Sequence, residues 1–147
     1  MEPDETFMQE ALRLATKARA AEEVPIGAVV VREGKIIDAT AHAEMLALTA
    51  AEAAVGDWRL TDCDLYVTKE PCPMCAGAIV HTRIRRVIFG CADIRAGAAG
   101  TVMNLLQHNA LNHRCLITSA VLDTECAALL QDFFRKKRHG AEQIDGG

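Results

Sequence analysis

The sequence predicts an α/β fold: a mixed sheet of about five strands between two layers of helices, α/β/α. Two observations carry this. Apolar, β-branched runs alternate along the chain with segments of helical periodicity, the pattern of helices covering both sheet faces. An early tight turn joins two strand-like runs as a hairpin, so the sheet is mixed rather than purely parallel. A length of 147 residues suits one domain, 1–147, around a single core.

In chain order, Phe7, Met8, Ala11, Leu12, Leu14, Ala15 and Ala18 recur at helical spacing and predict an amphipathic helix. Residues 24–31 are apolar and β-branched and predict a buried strand. Arg32-Glu33-Gly34-Lys35 reads as a turn, and Ile36-Ile37 as the start of the hairpin partner. Thr40 to about Ala54 is rich in Ala, Leu and Glu and predicts a helix. Residues 64–68 read as a strand, and Pro71 opens a short helix to about His81, since proline is tolerated in a first turn. Residues 87–90 form another strand, 91–101 a Gly- and Ala-rich loop of functional length, and 103–107 a short helix. Residues 115–121 give a fifth strand. Asp123 and Thr124 precede a final helix with Ala127, Leu130 and Phe134 on one stripe.

Composition narrows the function classes. No apolar run approaches the roughly 20 residues of a membrane span. The start, Met1-Glu2-Pro3-Asp4-Glu5, is acidic and unlike a secretory signal, so the expected compartment is the cytoplasm. The six cysteines are then no disulfide framework; Cys63, Cys91, Cys115 and Cys126 read as free thiols serving as small hydrophobes. The net charge is −4, with acid in excess up to residue 80 and base in excess after it, which permits a polyanionic partner on the later half.

The chemistry centres on His42-Ala43-Glu44 and Pro71-Cys72-Pro73-Met74-Cys75. Zinc takes imidazole nitrogen and thiolate sulfur in a tetrahedral shell. Cysteines three apart at a helix start can face one ion, where backbone N–H groups and the helix dipole favour thiolate. His42, Cys72 and Cys75 make three protein ligands. The fourth position stays open to water, the catalytic rather than the structural pattern. Glu44, two residues from His42, projects in a different direction and serves as general acid and base. Half of a zinc ribbon would need a second Cys-x-x-Cys, which is absent, and a redox pair leaves His-Ala-Glu unexplained. His-x-Glu followed by Pro-Cys-x-x-Cys is the signature of zinc-dependent nucleobase deaminases.

With these residues placed, the chain resembles the cytidine deaminase fold superfamily and, more narrowly, the bacterial tRNA adenosine deaminases. The likeness runs through 23–28, 40–44, 58–60, 65–68, 70–78, 97–100, 103–106, 112–114 and 133–135. It implies a cytidine deaminase-like fold and hydrolysis of a tRNA wobble adenosine to inosine, with release of ammonia. It implies one zinc per subunit and a homodimer gripping the anticodon stem-loop. By that resemblance Ile26, the Ala43 N–H and Pro71 border the base, and Asp93 meets a ribose. Asn112 and His113 lie near the substrate strand, and Phe134 and Arg135 approach the stem-loop. Residues alone also allow blander roles: a turn residue for Asp93, a turn cap for Asn112, and an ordinary solvated helix end for the basic run 135–139.

Two features depart from the family. Ile36-Ile37 runs almost directly into Asp38-Ala39-Thr40-Ala41-His42, where the family has on the order of a dozen further residues, among them a base-recognising asparagine. Either the loop is deleted or a stretch is omitted. Lys69 stands where an apolar residue is usual. The short loop keeps open a deaminase for another base: guanine, or cytosine or adenine in single-stranded DNA, as in an engineered, shortened editor domain. A catalytically silent, zinc-stabilised RNA-binding module is the reading from another class.

Overall fold

A computed structural model describes residues 3–40 and 44–145. Helix α1 (Pro3–Ala20) starts with acids and ends with Lys17 and Arg19, as its dipole favours, and buries Met8, Ala11, Leu14, Ala15 and Ala18. The first strand, β1 (Ala28–Arg32), is shorter than predicted. Pro25 has no N–H, and the Ile26 N–H bonds the Val24 carbonyl at 2.9 Å, so 24–26 leave the ladder, while the Gly27 carbonyl still accepts the Thr68 N–H at 3.1 Å. At Gly27 a Cβ would lie 1.9 Å from the Ala11 carbonyl oxygen; only glycine admits α1 at this distance.

Glu33 and Gly34 both adopt positive φ (53° and 75°), the tight-hairpin geometry, and β2 (Lys35–Thr40) follows. Here the structure corrects the sequence reading. Asp38, Ala39 and Thr40 extend the strand, pairing with Val30, Val29 and Ala28, so Thr40 does not begin the helix. The ladder skips Ile37 between Val31↔Ile36 and Val30↔Asp38, a bulge that packs Ile37 against the core. The edge of β1 left free by its pairing with β3 demands this partner. Helix α2 (Glu44–Val55) then packs back over β1 and β2.

Strand β3 (Cys63–Lys69), helix α3 (Pro73–His81), strand β4 (Arg86–Cys91), a 3₁₀ turn (Leu105–Gln107), strand β5 (Leu116–Thr118) and helix α4 (Asp123–Asp145) complete the order. The helix predicted from Pro71 starts at Pro73, because the Pro71 carbonyl accepts the Ala98 N–H at 2.9 Å and holds 70–72 extended. The helix predicted for 103–107 is only the 3₁₀ turn. The strand predicted to Val121 stops at Thr118; Ala120 and Leu122 have φ near +60° and turn the chain into α4.

The strand order is β2-β1-β3-β4-β5, antiparallel through β1 and parallel among β3, β4 and β5. One face packs on α2 and α3 through Val30, Leu65, Val67, Ile79, Val87 and Phe89. The other packs on α1 and α4 through Met8, Val29, Tyr66, Ile88 and Leu130. Three α/β/α layers result, as expected. The six cysteines form no disulfide. Burial pushes the Cys63 thiol up to about 11 and those of Cys115 and Cys126 to about 12, so these act as small hydrophobes.

Asp38 is the weak point of the extended β2. Its Oδ2 is buried with no hydrogen-bond partner among the described residues, and burial raises its pKa. A raised folded-state pKa means that stability falls as pH rises through it. Asp38→Thr, which also suits a strand better, is expected to raise the melting temperature at pH 7 by a few degrees and at pH 3 by less. Thermal unfolding at both values checks this; an unchanged midpoint at pH 7 would contradict it.

Candidate metal centre and groove

Parallel β3 and β4 end together, with Lys69 opposite Cys91, and the candidate site is built beyond those ends. Leaving β3, the chain passes Glu70 and Pro71 and enters α3 with Cys72 as N-cap (φ −76°, ψ 171°) and Pro73 in the first turn. Cys75 thus lies in the first turn of α3 and is buried, while Cys72 is half-buried. Two thiols three apart on a helix N-terminus, one shielded from water, form a donor pair suited to a soft-to-borderline cation such as zinc. Antiparallel β2 ends at the same side of the sheet, its Thr40 opposite Ala28, and α2 begins four residues later with Glu44. His42 and Ala43 lie outside the described residues, so the described residues supply two of the three expected ligands. Ile26 is half-buried beside both cores, at this same end.

Glu70 is a loop anchor beside the candidate site that sequence reasoning missed as such. It is 2% exposed, yet its carboxylate accepts the N–H groups of Asp93 (3.1 Å), Ala99 (2.9 Å) and Thr101 (3.1 Å) and the Thr101 hydroxyl. One side chain adjoining the metal turn thereby fixes the 93–101 loop. Gly97 is required there: a Cβ would meet Glu70 Oε1 at 2.4 Å. The signal available in the sequence was a lone acid between an apolar strand and a proline.

A groove of about 710 Å³ opens between the 91–95 segment and α4, with Lys69 of β3 in its lining. Asp93 and Phe134 line it with Lys69, Ile94, Arg95, Lys137 and Arg138. Asp93 Oδ1 accepts the N–H groups of Arg95 (2.9 Å) and Ala96 (3.1 Å), and Oδ2 stands 3.3 Å from Lys69 Nζ. Burial pushes the Asp93 carboxyl up, but these N–H groups and Lys69 outweigh it and hold it below the usual range. Lys69, anomalous in the sequence, is therefore paired.

The final helix is phased differently from the predicted stripe. Phe133, not Phe134, enters the core, and Phe134 is 43% exposed toward the groove. Arg135 is turned away toward Asp132 at 3.5 Å, leaving Lys137 and Arg138 as the helix's cations on the groove. Asn112 is exposed. The His113 ring lies 2.6 Å from the Ile84 carbonyl oxygen, before the start of β4. That is the end of the sheet opposite Cys72, so within one copy of the chain His113 is not brought to the metal turn.

Known proteins resemble the chain throughout. The MafB19-like deaminase family model matches residues 2–138. A tRNA-specific adenosine deaminase of Bacillus subtilis is 48% identical, covering 94% of this chain and 92% of that protein. One from Haemophilus influenzae is 43% identical over 92% and 85%. The Bacillus match spans 149 positions, more than the 147 residues of the chain, while leaving part of the chain uncovered; the relative thus carries residues that this chain lacks within the matched span. A solved tRNA:A34 deaminase, from a study of A-to-I editing at the wobble position of transfer RNA, superimposes with a TM-score of 0.81 at 38% identity, over 85% of this chain and 99% of that one. A guanine deaminase from Nitrosomonas europaea gives 0.74 at 25% identity, over 88% and 83%.

Proposed function

Because the chain belongs to the tRNA-specific adenosine deaminases of the deaminase superfamily, we propose that it hydrolyses the wobble adenosine of a tRNA anticodon to inosine, releasing ammonia. The observation that carries the reading is the pairing of the two thiols at the start of α3 with an α2 that opens on Glu44, at one end of the sheet. Zinc held by His42, Cys72 and Cys75 would supply water activated near neutral pH. Glu44 would take one proton from the attacking water and deliver it to a ring nitrogen, then take the hydroxyl proton of the resulting adduct and deliver it to the departing amine. Ile26, Pro71 and the Ala43 N–H border the base, and the basic groove receives the flanking strand. The higher identity to the tRNA enzymes supports this substrate over guanine.

A tRNA substrate implies the cytoplasm; among the described residues no helix is long and apolar enough to cross a membrane. For the second copy of a homodimer we assign the outer stripe of α3. Met74, Gly77 and His81 lie along it, Trp58 stacks on His81 at 5.5 Å, and exposed Val102 and Met103 belong to the loop that packs on α3.

The test is conversion of an anticodon stem-loop carrying wobble adenosine, read by mass spectrometry, beside a DNA strand carrying adenine or cytosine. Conversion of the RNA alone is expected; conversion of only the DNA would overturn the substrate assignment. For the metal, Cys75→Ser is expected to purify with well under one zinc per chain and Cys63→Ala with the parental content, measured by atomic emission. Equal zinc in Cys75→Ser and the parent would remove Cys75 from the ligand set.

A further inference from the structure

Lys69 ends β3 three residues before Cys72, and its ammonium enters the groove rather than the core. Its one acid partner among the described residues is Asp93, at 3.3 Å. The remaining oxygen of Asp93 is already engaged by the N–H groups of Arg95 and Ala96, so a single carboxylate oxygen faces Lys69. Around this pair the groove carries three more cations, Arg95, Lys137 and Arg138, and among the described residues no second acid lines it. Four cations against one acid attract a polyanion, and a partly exposed ammonium has donors to spare for a second acceptor.

We propose that Lys69 is a substrate-binding residue, a cation shared between Asp93 and a phosphate of the RNA strand next to the target base. The proposal rests on the tRNA reading above. Its chemistry is that of a flexible four-carbon stem carrying a compact charge, which can turn from a carboxylate to a phosphate without moving the backbone. The neighbouring hydrophobic surface fits the same occupant: the Phe134 ring, 43% exposed, is a face on which a base can stack, and Ile94, 82% exposed, adds apolar contact. An apolar residue at position 69 would leave the same groove one phosphate contact poorer.

The experiment is fluorescence anisotropy of an anticodon stem-loop RNA with the parent, Lys69→Met and Lys69→Arg, titrated between about 50 and 200 mM salt. Removing one phosphate contact should flatten the slope of log affinity against log salt by about 0.7–0.9. Lys69→Met should show that loss while keeping the length and fold of the side chain; Lys69→Arg, which keeps the charge, should restore the parental slope. If Lys69→Met lowers only the melting temperature and leaves the slope unchanged, Lys69 is merely a partner for Asp93 and the proposal is overturned while the tRNA reading stands. If the parent binds no stem-loop at all, the tRNA reading falls and takes this assignment with it.

Discussion

Glu44→Gln is expected to leave a folded, zinc-holding, RNA-binding protein whose conversion of wobble adenosine is lower by about a hundredfold to ten-thousandfold, the range associated with a positioned acid and base. Glutamine keeps the length and hydrogen-bonding shape of glutamate but cannot take up and release a proton. Deamination needs two transfers, one to the ring nitrogen and one to the departing amine, so no partial role survives the substitution. The change should be nearly silent in stability. Residue 44 opens α2, glutamine is a good helix former, and losing one negative charge at a helix start costs only about 0.3–1 kcal/mol. The decisive measurements are single-turnover conversion, zinc content and stem-loop affinity on the same preparation. Activity above a tenth of the parental rate would move the proton shuttle to another residue. An inactive parent with intact RNA binding would favour the silent binding module.

The contrast between this site and the groove shows what a sequence can reveal. His42, Glu44, Cys72 and Cys75 are legible because each pair is local: two residues apart in one case, three in the other, with the spacing itself stating the chemistry. The groove is not legible, because Lys69, the 91–95 segment and the 134–138 turns of α4 meet only when β3, β4 and the last helix are packed together. Helix phase was the second loss. Two adjacent phenylalanines differ by about 100° around a helix, and composition alone cannot say which one the core takes. Phe133 is the buried one, with the Lys137 ammonium 5.6 Å over its ring, and Phe134 faces outward. In the fold, the β-branched runs of β1, β3 and β4 identified themselves. The extension of β2 through Asp38, Ala39 and Thr40 did not, since Asp and Ala are poor strand formers and Thr before an Ala- and Glu-rich stretch reads as a helix start. That segment is a strand because β1 offers it an open ladder, a non-local cause.

Glu70→Ala should produce the largest loss of stability among single changes at the site. The carboxylate satisfies three backbone N–H groups and one hydroxyl from a single loop, and it is 2% exposed; of its donors the Ala99 N–H is buried, and the Asp93 and Thr101 groups are part-buried. A buried donor left without an acceptor costs about 1–3 kcal/mol, and the part-buried ones less, which places the total at roughly 2–5 kcal/mol. Against an ordinary stability of about 5–15 kcal/mol this is a large share, and it corresponds to a fall in melting temperature of roughly 10 °C. Glutamine should not rescue it, because its amide would aim two more hydrogens at N–H groups. Gly97→Ala approaches the same cluster from outside: the added methyl would meet Glu70 Oε1 at 2.4 Å and the Asp93 carbonyl oxygen at 2.5 Å, so the loop must shift. Both variants should also open the 93–101 segment to protease while the core helices resist, because Asp93, Ala99 and Thr101 lose a common anchor. The consequence reaches function through position: Asp93 borders the groove and Pro71 borders the metal turn, and Glu70 is the link between them. A Glu70→Ala protein melting within a few degrees of the parent, with an uncut loop, would mean that the loop is held by its own backbone bonds, such as Gly97 N–H to the Asp93 carbonyl and Ala98 N–H to the Pro71 carbonyl, and that the carboxylate only caps an arrangement already formed.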